Sequence, residues 1–235
     1  MDNAEGMSRH IGIVGCSAEG AALCYKTICG EGAGRLGPHA HPQVSMHTHS
    51  LSDYVNCLER GDIDGVGDLM LSSASKLQSA GADFLICPDN TIHQSMPYVA
   101  LRSSVPWLHI AEVVASEAAG RNFKRVALIG TQWLVESEVY PEKLAAVGIQ
   151  CVRPTKNERE LLGAIIMNEL VYGVFYPDSI AYLQNVISRL SQQDCDAVIL
   201  GCTELPLVLN DANSLLPTLD STRLLARAAL DFALR

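Results

Sequence analysis

IGIVGC, at Ile11 to Cys16, is an apolar run that ends in glycine and is typical of a buried parallel strand followed by a turn. VALIGT, at Val126 to Thr131, repeats this pattern 115 residues later. The same offset superposes Cys87, in FLICPDN, on Cys202, in VILGCTE. Self-similarity of this kind predicts a duplicated α/β unit in which each half presents a thiol at the end of a strand.

Strands and helices alternate along the whole chain. Apolar runs predict strands over 11–15, 44–46, 84–87, 106–110, 125–129 and 197–200. Helical spacing predicts helices over 18–30, 65–79, from 111 onward, 134–146, 158–173, 180–191 and 222–234, with a surface loop over 31–42. This alternation predicts an α/β fold of two pseudo-symmetric parallel-sheet domains, with the active site in the cleft between them.

We expect the chain to divide into two halves. We expect an N-terminal α/β half formed by residues 1–112 and 219–235, so that the last helix returns to the first half. Residues 113–218 form the second half. The length of 235 residues allows a sizeable core.

Composition limits the possible partners and the compartment. The net charge of −9 argues against nucleic acid or an anionic membrane as a partner, because both attract clustered Lys and Arg. The polar first ten residues predict no signal peptide, and no apolar run is long enough to span a membrane, so we expect a cytoplasmic protein. The eight cysteines should then be reduced thiols, and their spacing does not match a zinc site. We therefore expect no metal.

The segment GCTELP, at Gly201 to Pro206, resembles the aspartate/glutamate racemase family, and most closely its aspartate racemase-like branch. Further family-like segments cover most of the chain: GIVG at 12–15, NTIH at 90–93, HIAE at 109–112, LIGT at 128–131 and LDST at 219–222. The resemblance implies a cofactor-independent amino-acid racemase or epimerase that acts on a small amino-acid or dicarboxylate substrate. It also implies Cys202 as the second catalytic cysteine, and a homodimer.

Two thiols suit this chemistry on physical grounds. Inversion at the weakly acidic Cα needs a base on one face and an acid on the other. A thiol has an ordinary pKa of about 8.5, close enough to neutrality for either role. We therefore predict that Cys87 and Cys202 transfer the proton from opposite faces, without a cofactor.

The first catalytic group has two candidates. The family usually carries its first cysteine one or two residues before the Asn-Thr pair, whereas Cys87 lies three residues before Asn90. Matching Asp83 to Asp196 gives an offset of 113, which superposes Asp89 on Cys202 instead. Cys87 is preferred because the strand patterns match better at 115, and Asp89 remains the alternative.

Other positions are candidates for substrate contact or for tuning the site. Family position and turn location predict that the substrate is bound by Asn90, Thr91, Thr131 and Thr203, with backbone N–H groups at the adjoining helix starts. Leu134 occupies a position where the family often has a further Thr. The roles left open are those of Glu204, of the loop histidines His47 and His49, and of His93 and His109.

Two alternative functions remain. The chain could be a related isomerase of the maleate isomerase or hydantoin racemase type, which the resemblance also allows. It could instead be a non-catalytic protein that binds a small ligand in a degenerate site, an alternative favoured by the displaced Cys87 and by Leu134.

Overall fold

The computed structural model describes residues 8–235, and within them it contains two four-stranded parallel sheets. The first sheet has the order β2-β1-β3-β4 and comprises β1 (Ile11–Gly15), β2 (Val44–Thr48), β3 (Phe84–Ile86) and β4 (Trp107–Leu108). The second has the order β6-β5-β7-β8 and comprises β5 (Arg125–Ile129), β6 (Gln150–Val152), β7 (Ala197–Leu200) and β8 (Thr218–Asp220). The predicted α/β class with two similar parallel sheets is confirmed.

Helices connect and cover the strands. They are α1 (Ala18–Leu36), α2 (Leu51–Glu59), α3 (Ile63–Ser79), α4 (Met96–Ala100), α5 (Ile110–Gly120), α6 (Gln132–Glu136), α7 (Val139–Ala146), α8 (Lys156–Asn168), α9 (Pro177–Ser191) and α10 (Ser221–Ala233). Short 3-10 turns lie at Thr91–Ser95, Leu170–Tyr172 and Leu205–Leu207. No helix within residues 8–235 is both long enough and apolar enough to cross a membrane.

The first helix of each half starts in the same way, just beyond a buried central strand. Ser17 caps α1 by accepting a hydrogen bond from the Gly20 N–H, and Thr131 caps α6 by accepting one from the Leu134 N–H. Side-chain caps satisfy backbone donors that a helix start leaves unpaired. Each cap therefore lies at the carboxyl end of its sheet, where the predicted site residues also lie.

Several predicted boundaries differ from the structure. The helix predicted over 134–146 is two helices, separated at Ser137, whose hydroxyl donates to the Leu134 carbonyl and so replaces a helical hydrogen bond. The predicted loop over 31–42 begins with the last turn of α1, which ends before Gly37 at a positive φ of 101°. The helix predicted over 158–173 ends at Asn168, and a 3-10 turn follows.

The last helix packs against the first half. Apolar residues of α10, including Leu225 and Ala229, share a buried core with Ile11 and Ile13 of β1. Helix α10 also contacts α1 and α5. The exact limits of the two halves, at 112/113 and at 218/219, stay a prediction.

The strand pairing shows how the two halves correspond. In the first sheet Ile11 pairs with Phe84, and in the second sheet Val126 pairs with Ala197. If Ile11 corresponds to Val126, at an offset of 115, Phe84 must correspond to Ala197, at an offset of 113. The central strands and their neighbours therefore follow different offsets.

Two aspartates establish this register independently. Asp83 accepts a hydrogen bond from the His10 N–H at 2.7 Å, and its own N–H donates to the His10 carbonyl at 2.9 Å. Asp196 makes the same two contacts with Arg125, at 2.9 and 2.7 Å. The same clamp at the start of both strands makes Asp83 the counterpart of Asp196, at an offset of 113.

The expectation that the third strand matches at 115 is therefore wrong. At an offset of 113, Asp89 is the counterpart of Cys202, and Cys87 is the counterpart of the core residue Leu200. The reason is that the residues of β3 that pair with β1 lie two positions later in the chain than the apolar pattern alone indicated.

Candidate active site

A small cavity lies at the carboxyl ends of both sheets. Its polar residues come from the loops that follow the strands: Cys16, Ser17, Asp89, Asn90, Thr91, Thr131, Cys202, Thr203 and Glu204. Its apolar walls come mainly from helices and the turn after α8: Leu51, Val55, Leu58, Trp133, Ile166, Met167 and Val171. Both halves contribute to each set, so the cavity is a joint feature of the two halves.

Cys202 lies two residues beyond β7 and is 8% exposed. Its Sγ donates to Glu204 Oε2 at 2.8 Å, and the Thr203 hydroxyl donates to the same oxygen at 2.8 Å. Burial, followed by the Glu204 charge, raises the pKa of the Cys202 thiol well above its ordinary value. The thiol is therefore protonated at neutral pH and can act as an acid.

Gly201 allows this turn to be tight. A Cβ at this position would lie 2.6 Å from the Leu134 Cδ2 and 2.9 Å from the Ile129 carbonyl oxygen. Leu134 itself is fully buried in the core of the second half and does not line the cavity. The position at which the family often has Thr therefore serves packing in this chain.

Asp89 lines the cavity at the end of the first sheet. Its carboxylate accepts the Ile92 N–H at 3.2 Å, which ties it to the 3-10 turn that follows. Burial raises the pKa of Asp89 to about 6, and the Glu204 charge adds to this effect. At neutral pH the carboxylate is therefore largely ionised and can accept a proton.

His93 supports the backbone of Asp89. Its Nδ1 donates to the Asp89 carbonyl at 2.6 Å, and its Nε2 accepts the Ile110 N–H at 3.3 Å. Burial lowers the pKa of His93 well below its ordinary value, with His109 adding to the effect. His93 is thus a neutral histidine whose ring joins the Asp89 loop to the start of α5.

Cys87 lies in the core rather than at the cavity. It is fully buried among apolar residues of the first half, including Leu85 and Val99, and it is absent from the cavity lining. Its Sγ is 3.9 Å from the Asp89 carbonyl oxygen. Burial raises the pKa of the Cys87 thiol well above its ordinary value. The structure brings Asp89 and Cys202, not Cys87 and Cys202, to one cavity.

Two hydroxyl pairs join the halves across the cavity. Thr91 Oγ1 lies 2.9 Å from Thr131 Oγ1, and Ser17 Oγ lies 2.9 Å from Thr203 Oγ1. In each pair, a residue after the third strand of one half meets the helix cap of the other half. Three of the four predicted substrate-binding residues, Thr91, Thr131 and Thr203, therefore lie together on the cavity.

Asn90 also lines the cavity, but its amide is already engaged. Its Oδ1 accepts the Tyr140 hydroxyl at 2.5 Å, and its Nδ2 donates to the Ser221 hydroxyl at 3.0 Å. Ser221 in turn donates to the Leu200 carbonyl at 2.8 Å. Asn90 therefore connects the loop after β3 to the second half and to the start of α10.

His47 and His49 do not line the cavity, and only His49 lies in a loop, because β2 extends to Thr48 and includes His47. His47 contacts Ser73 and Lys76, each at 2.9 Å, and His49 contacts Ser72 at 3.1 Å. These contacts attach β2 and the loop after it to α3. No group of three or more His, Cys, Asp or Glu side chains within residues 8–235 is placed to hold a metal ion.

The cavity residues that the sequence did not identify include Ser17, Tyr54 and Trp133. Tyr54 lies on α2, where Leu51, Tyr54, Val55 and Leu58 have the spacing of one helix face, so the apolar pattern could have identified this helix. Ser17 could have been found as the cap that precedes α1, because it follows a strand and a glycine turn.

Known proteins share this architecture. A protein of Bacillus subtilis (strain 168), the broad-specificity amino-acid racemase RacX, is 27% identical over 172 residues, which are 72% of this chain and 73% of that protein. The crystal structure of a candidate Asp/Glu racemase from Yersinia pestis is 27% identical with a TM-score of 0.88, over 97% of this chain and 100% of that one. An aspartate racemase homologue from Pyrococcus horikoshii OT3 is 25% identical with a TM-score of 0.82, over 97% and 100%.

The family model described as Asp/Glu/Hydantoin racemase matches residues 11–229, which include both sheets and every residue of the cavity. The resemblance found in the sequence is thereby confirmed. The chain belongs to the Asp/Glu/Hydantoin racemase family.

Proposed function

We propose that this protein is a cofactor-independent amino-acid racemase or epimerase in which Asp89 and Cys202 transfer the α-proton. One observation supports this pair above others: Asp89 and Cys202 occupy corresponding strand ends in the two halves, and both line the same cavity. Family membership supports the reaction class.

The two groups differ in their resting protonation, and this difference defines a reaction cycle. Asp89, with a pKa of about 6, removes the α-proton of the substrate from one face. The Cys202 thiol then donates its proton to the opposite face of the carbanion, which leaves a thiolate. In the reverse direction the Cys202 thiolate takes the α-proton and the protonated Asp89 returns one. Proton exchange with water, or a turnover in the reverse direction, returns Asp89 to the carboxylate and Cys202 to the thiol.

The cavity offers neutral groups for the substrate carboxylate. The hydroxyls of Thr91, Thr131, Thr203 and Ser17 lie at the strand ends and line the same cavity as the two proposed proton-transfer groups. We infer that they and the adjoining backbone N–H groups bind the carboxylate, which would leave Cα between Asp89 and Cys202. The homodimer and the cytoplasmic location expected from the sequence remain predictions.

A non-catalytic binding function is the second candidate. It is favoured by the core position of Cys87, because the predicted pair of thiols, Cys87 and Cys202, does not meet at the cavity. In that case the protein would bind its ligand without exchanging the α-proton.

Deuterium exchange tests the proposal. Purified protein in D₂O is offered a panel of amino acids, and incorporation at Cα is followed by NMR. Exchange is expected in the wild type, with losses of about 10²–10⁴-fold in Cys202→Ser and Asp89→Asn, because each variant lacks a proton-transfer group. The matched control Cys87→Ala removes a buried thiol two residues from Asp89 and should retain activity within a few-fold.

Two results would contradict the proposal. A folded wild-type protein that binds amino acids but exchanges no α-proton would be a binding protein. An inactive but folded Cys87→Ala variant, together with an active Asp89→Asn variant, would return the first catalytic role to Cys87. Circular dichroism and thermal unfolding establish that each variant is folded.

A further inference from the structure

We propose that the substrate side chain is uncharged and apolar, and that aspartate and glutamate are poor substrates. This inference rests on the proposed function. It concerns the composition of the cavity around the proton-transfer pair.

Among residues 8–235, no cationic side chain lines the cavity where it could bind an acidic substrate side chain. All 17 Lys and Arg residues and all seven His residues lie within residues 8–235, and none of them lines the cavity. Two carboxyl groups, Asp89 and Glu204, do line it. A substrate with a second carboxylate would place a further negative charge beside them without a partner. Burial of an unpaired charge is strongly unfavourable.

The walls beyond the polar strand ends are hydrocarbon. On one side they are formed by Leu51, Val55 and Leu58 of α2, which belongs to the first half. From the second half come Trp133 of α6, Ile166 and Met167 of α8, and Val171 of the turn that follows. Apolar walls favour a side chain that gains by leaving water.

Tyr54, which also lines the cavity, carries a buried neutral hydroxyl. A single neutral hydroxyl does not compensate the charge of a carboxylate, whereas it tolerates an uncharged ligand.

The division of the cavity into polar strand ends and apolar helix walls separates two tasks. The strand ends bind the part that every amino acid shares, and the walls select the side chain.

The wild-type protein gives the first test. Its kcat/KM for α-proton exchange in D₂O is measured for L-leucine, L-methionine, L-aspartate, L-glutamate and L-lysine. Leucine and methionine should exceed each charged amino acid by about tenfold or more. An equal or larger value for aspartate, glutamate or lysine overturns this inference and leaves the proposed racemase function standing. No exchange with any amino acid overturns the proposed function, and this inference with it.

The second test adds a positive charge to the apolar wall and measures whether the substrate preference changes. Met167 is partly exposed on α8, so Met167→Lys can place an ammonium at the apolar wall. It should raise the ratio of glutamate to leucine activity by about tenfold or more, whereas the matched neutral variant Met167→Gln should not. A ratio that is the same in both variants would contradict the assignment of this wall to the substrate side chain.

Discussion

At the residue scale, the two proposed proton-transfer groups are chemically unlike. A carboxylate at Asp89 and a thiol at Cys202 occupy corresponding ends of the two sheets, whereas an exact duplication would place the same group at both. Because a carboxylic acid is ordinarily several pKa units more acidic than a thiol, the two directions of the reaction start from unequal protonation states. Burial raises the pKa of both groups, that of Asp89 to about 6 and that of the Cys202 thiol well above its ordinary value, so the inequality persists.

The pH profile should report Asp89 directly. Below a pH of about 6 the carboxyl is protonated and cannot accept the α-proton, so kcat/KM for the enantiomer deprotonated by Asp89 should fall about tenfold per pH unit. This fall in kcat/KM toward low pH is the acid limb of the profile. In Asp89→Cys the acid limb should move to higher pH, because a thiol ordinarily ionises near 8.5. Steady-state exchange rates between pH 4.5 and 9, in roughly half-unit steps, measure both profiles. An acid limb that stays near 6 in Asp89→Cys would assign it to another group.

His93 should act as a positioning residue rather than as a proton carrier. Burial lowers the pKa of His93 well below 6.5, so it stays neutral near pH 6 and the acid limb should persist in His93→Gln. His93→Leu should lower the free energy of unfolding by about 2–4 kcal/mol, because the Asp89 carbonyl and the Ile110 N–H each lose a buried partner. Urea unfolding and the pH profile of the Gln variant test these two statements. If the acid limb of the pH profile disappears in His93→Gln, the titrating group is His93 itself.

At the scale of secondary-structure elements, the approach of α1 to the loop after β7 determines the position of Thr203. Gly20 lies in the first turn of α1, and a Cβ there would lie 2.4 Å from the Thr203 Cγ2. The absence of this carbon lets Ser17 reach the Thr203 hydroxyl, which in turn donates to Glu204. Helix α1 thus supports the hydrogen-bonded group around Cys202 from the opposite half.

Two glycine substitutions in the same helix should have opposite effects. Gly30→Ala should stabilise the protein by about 0.5–1 kcal/mol, because, apart from its chain neighbours and the backbone of its own helix, no atom of residues 8–235 lies within 4 Å of a Cβ added at this position and Ala favours a helix. Gly20→Ala should displace Thr203 and lower kcat/KM, and it should give none of that stabilisation. Thermal unfolding and exchange assays on both variants make the comparison. Equal activity of the two variants would show that Thr203 needs no such close approach.

At the scale of the whole molecule, a polar bridge and two hydroxyl pairs join the halves around the cavity. Asn90 binds Tyr140 of α7 and Ser221 of α10, so one amide connects the loop after β3 to two elements outside the first sheet. All three side chains are buried. The relative position of the two strand ends, and so of Asp89 and Cys202, depends on such contacts.

Removal of one hydroxyl should weaken this junction. Tyr140→Phe leaves the Asn90 Oδ1 without its donor and should cost about 1–3 kcal/mol in the free energy of unfolding, with a loss of exchange activity. Tyr172→Phe is the matched control, because Tyr172 is 75% exposed, and its cost should stay within about 0.5 kcal/mol. Urea unfolding measures both. Similar costs in the two variants would mean that the bridge does not hold the halves together.

The sequence predicted the buried strands, whose apolar pattern is strong, and missed two short edge strands, whose pattern is weak. The strands at 11–15 and 125–129 match the structure at both ends because, apart from Arg125, they consist of apolar residues and glycine. Strands β6 and β8 were missed because each has three residues at the edge of its sheet, too few to show a period. Helix α2 was missed although its apolar residues follow helical spacing, and with it Tyr54 and one apolar wall of the cavity.

Local sequence by itself determined the duplicated α/β units, the family and the position of Cys202 after β7. It could not determine which residue faces Cys202, because Cys87 and Asp89 are two positions apart. Side chains alternate along a strand with a period of two, so a shift of two leaves the pattern of buried and exposed faces unchanged. Only the hydrogen bonds between strands, and the Asp83 and Asp196 clamps at their starts, decided that Cys87 stays in the core while Asp89 lies beyond it at the cavity.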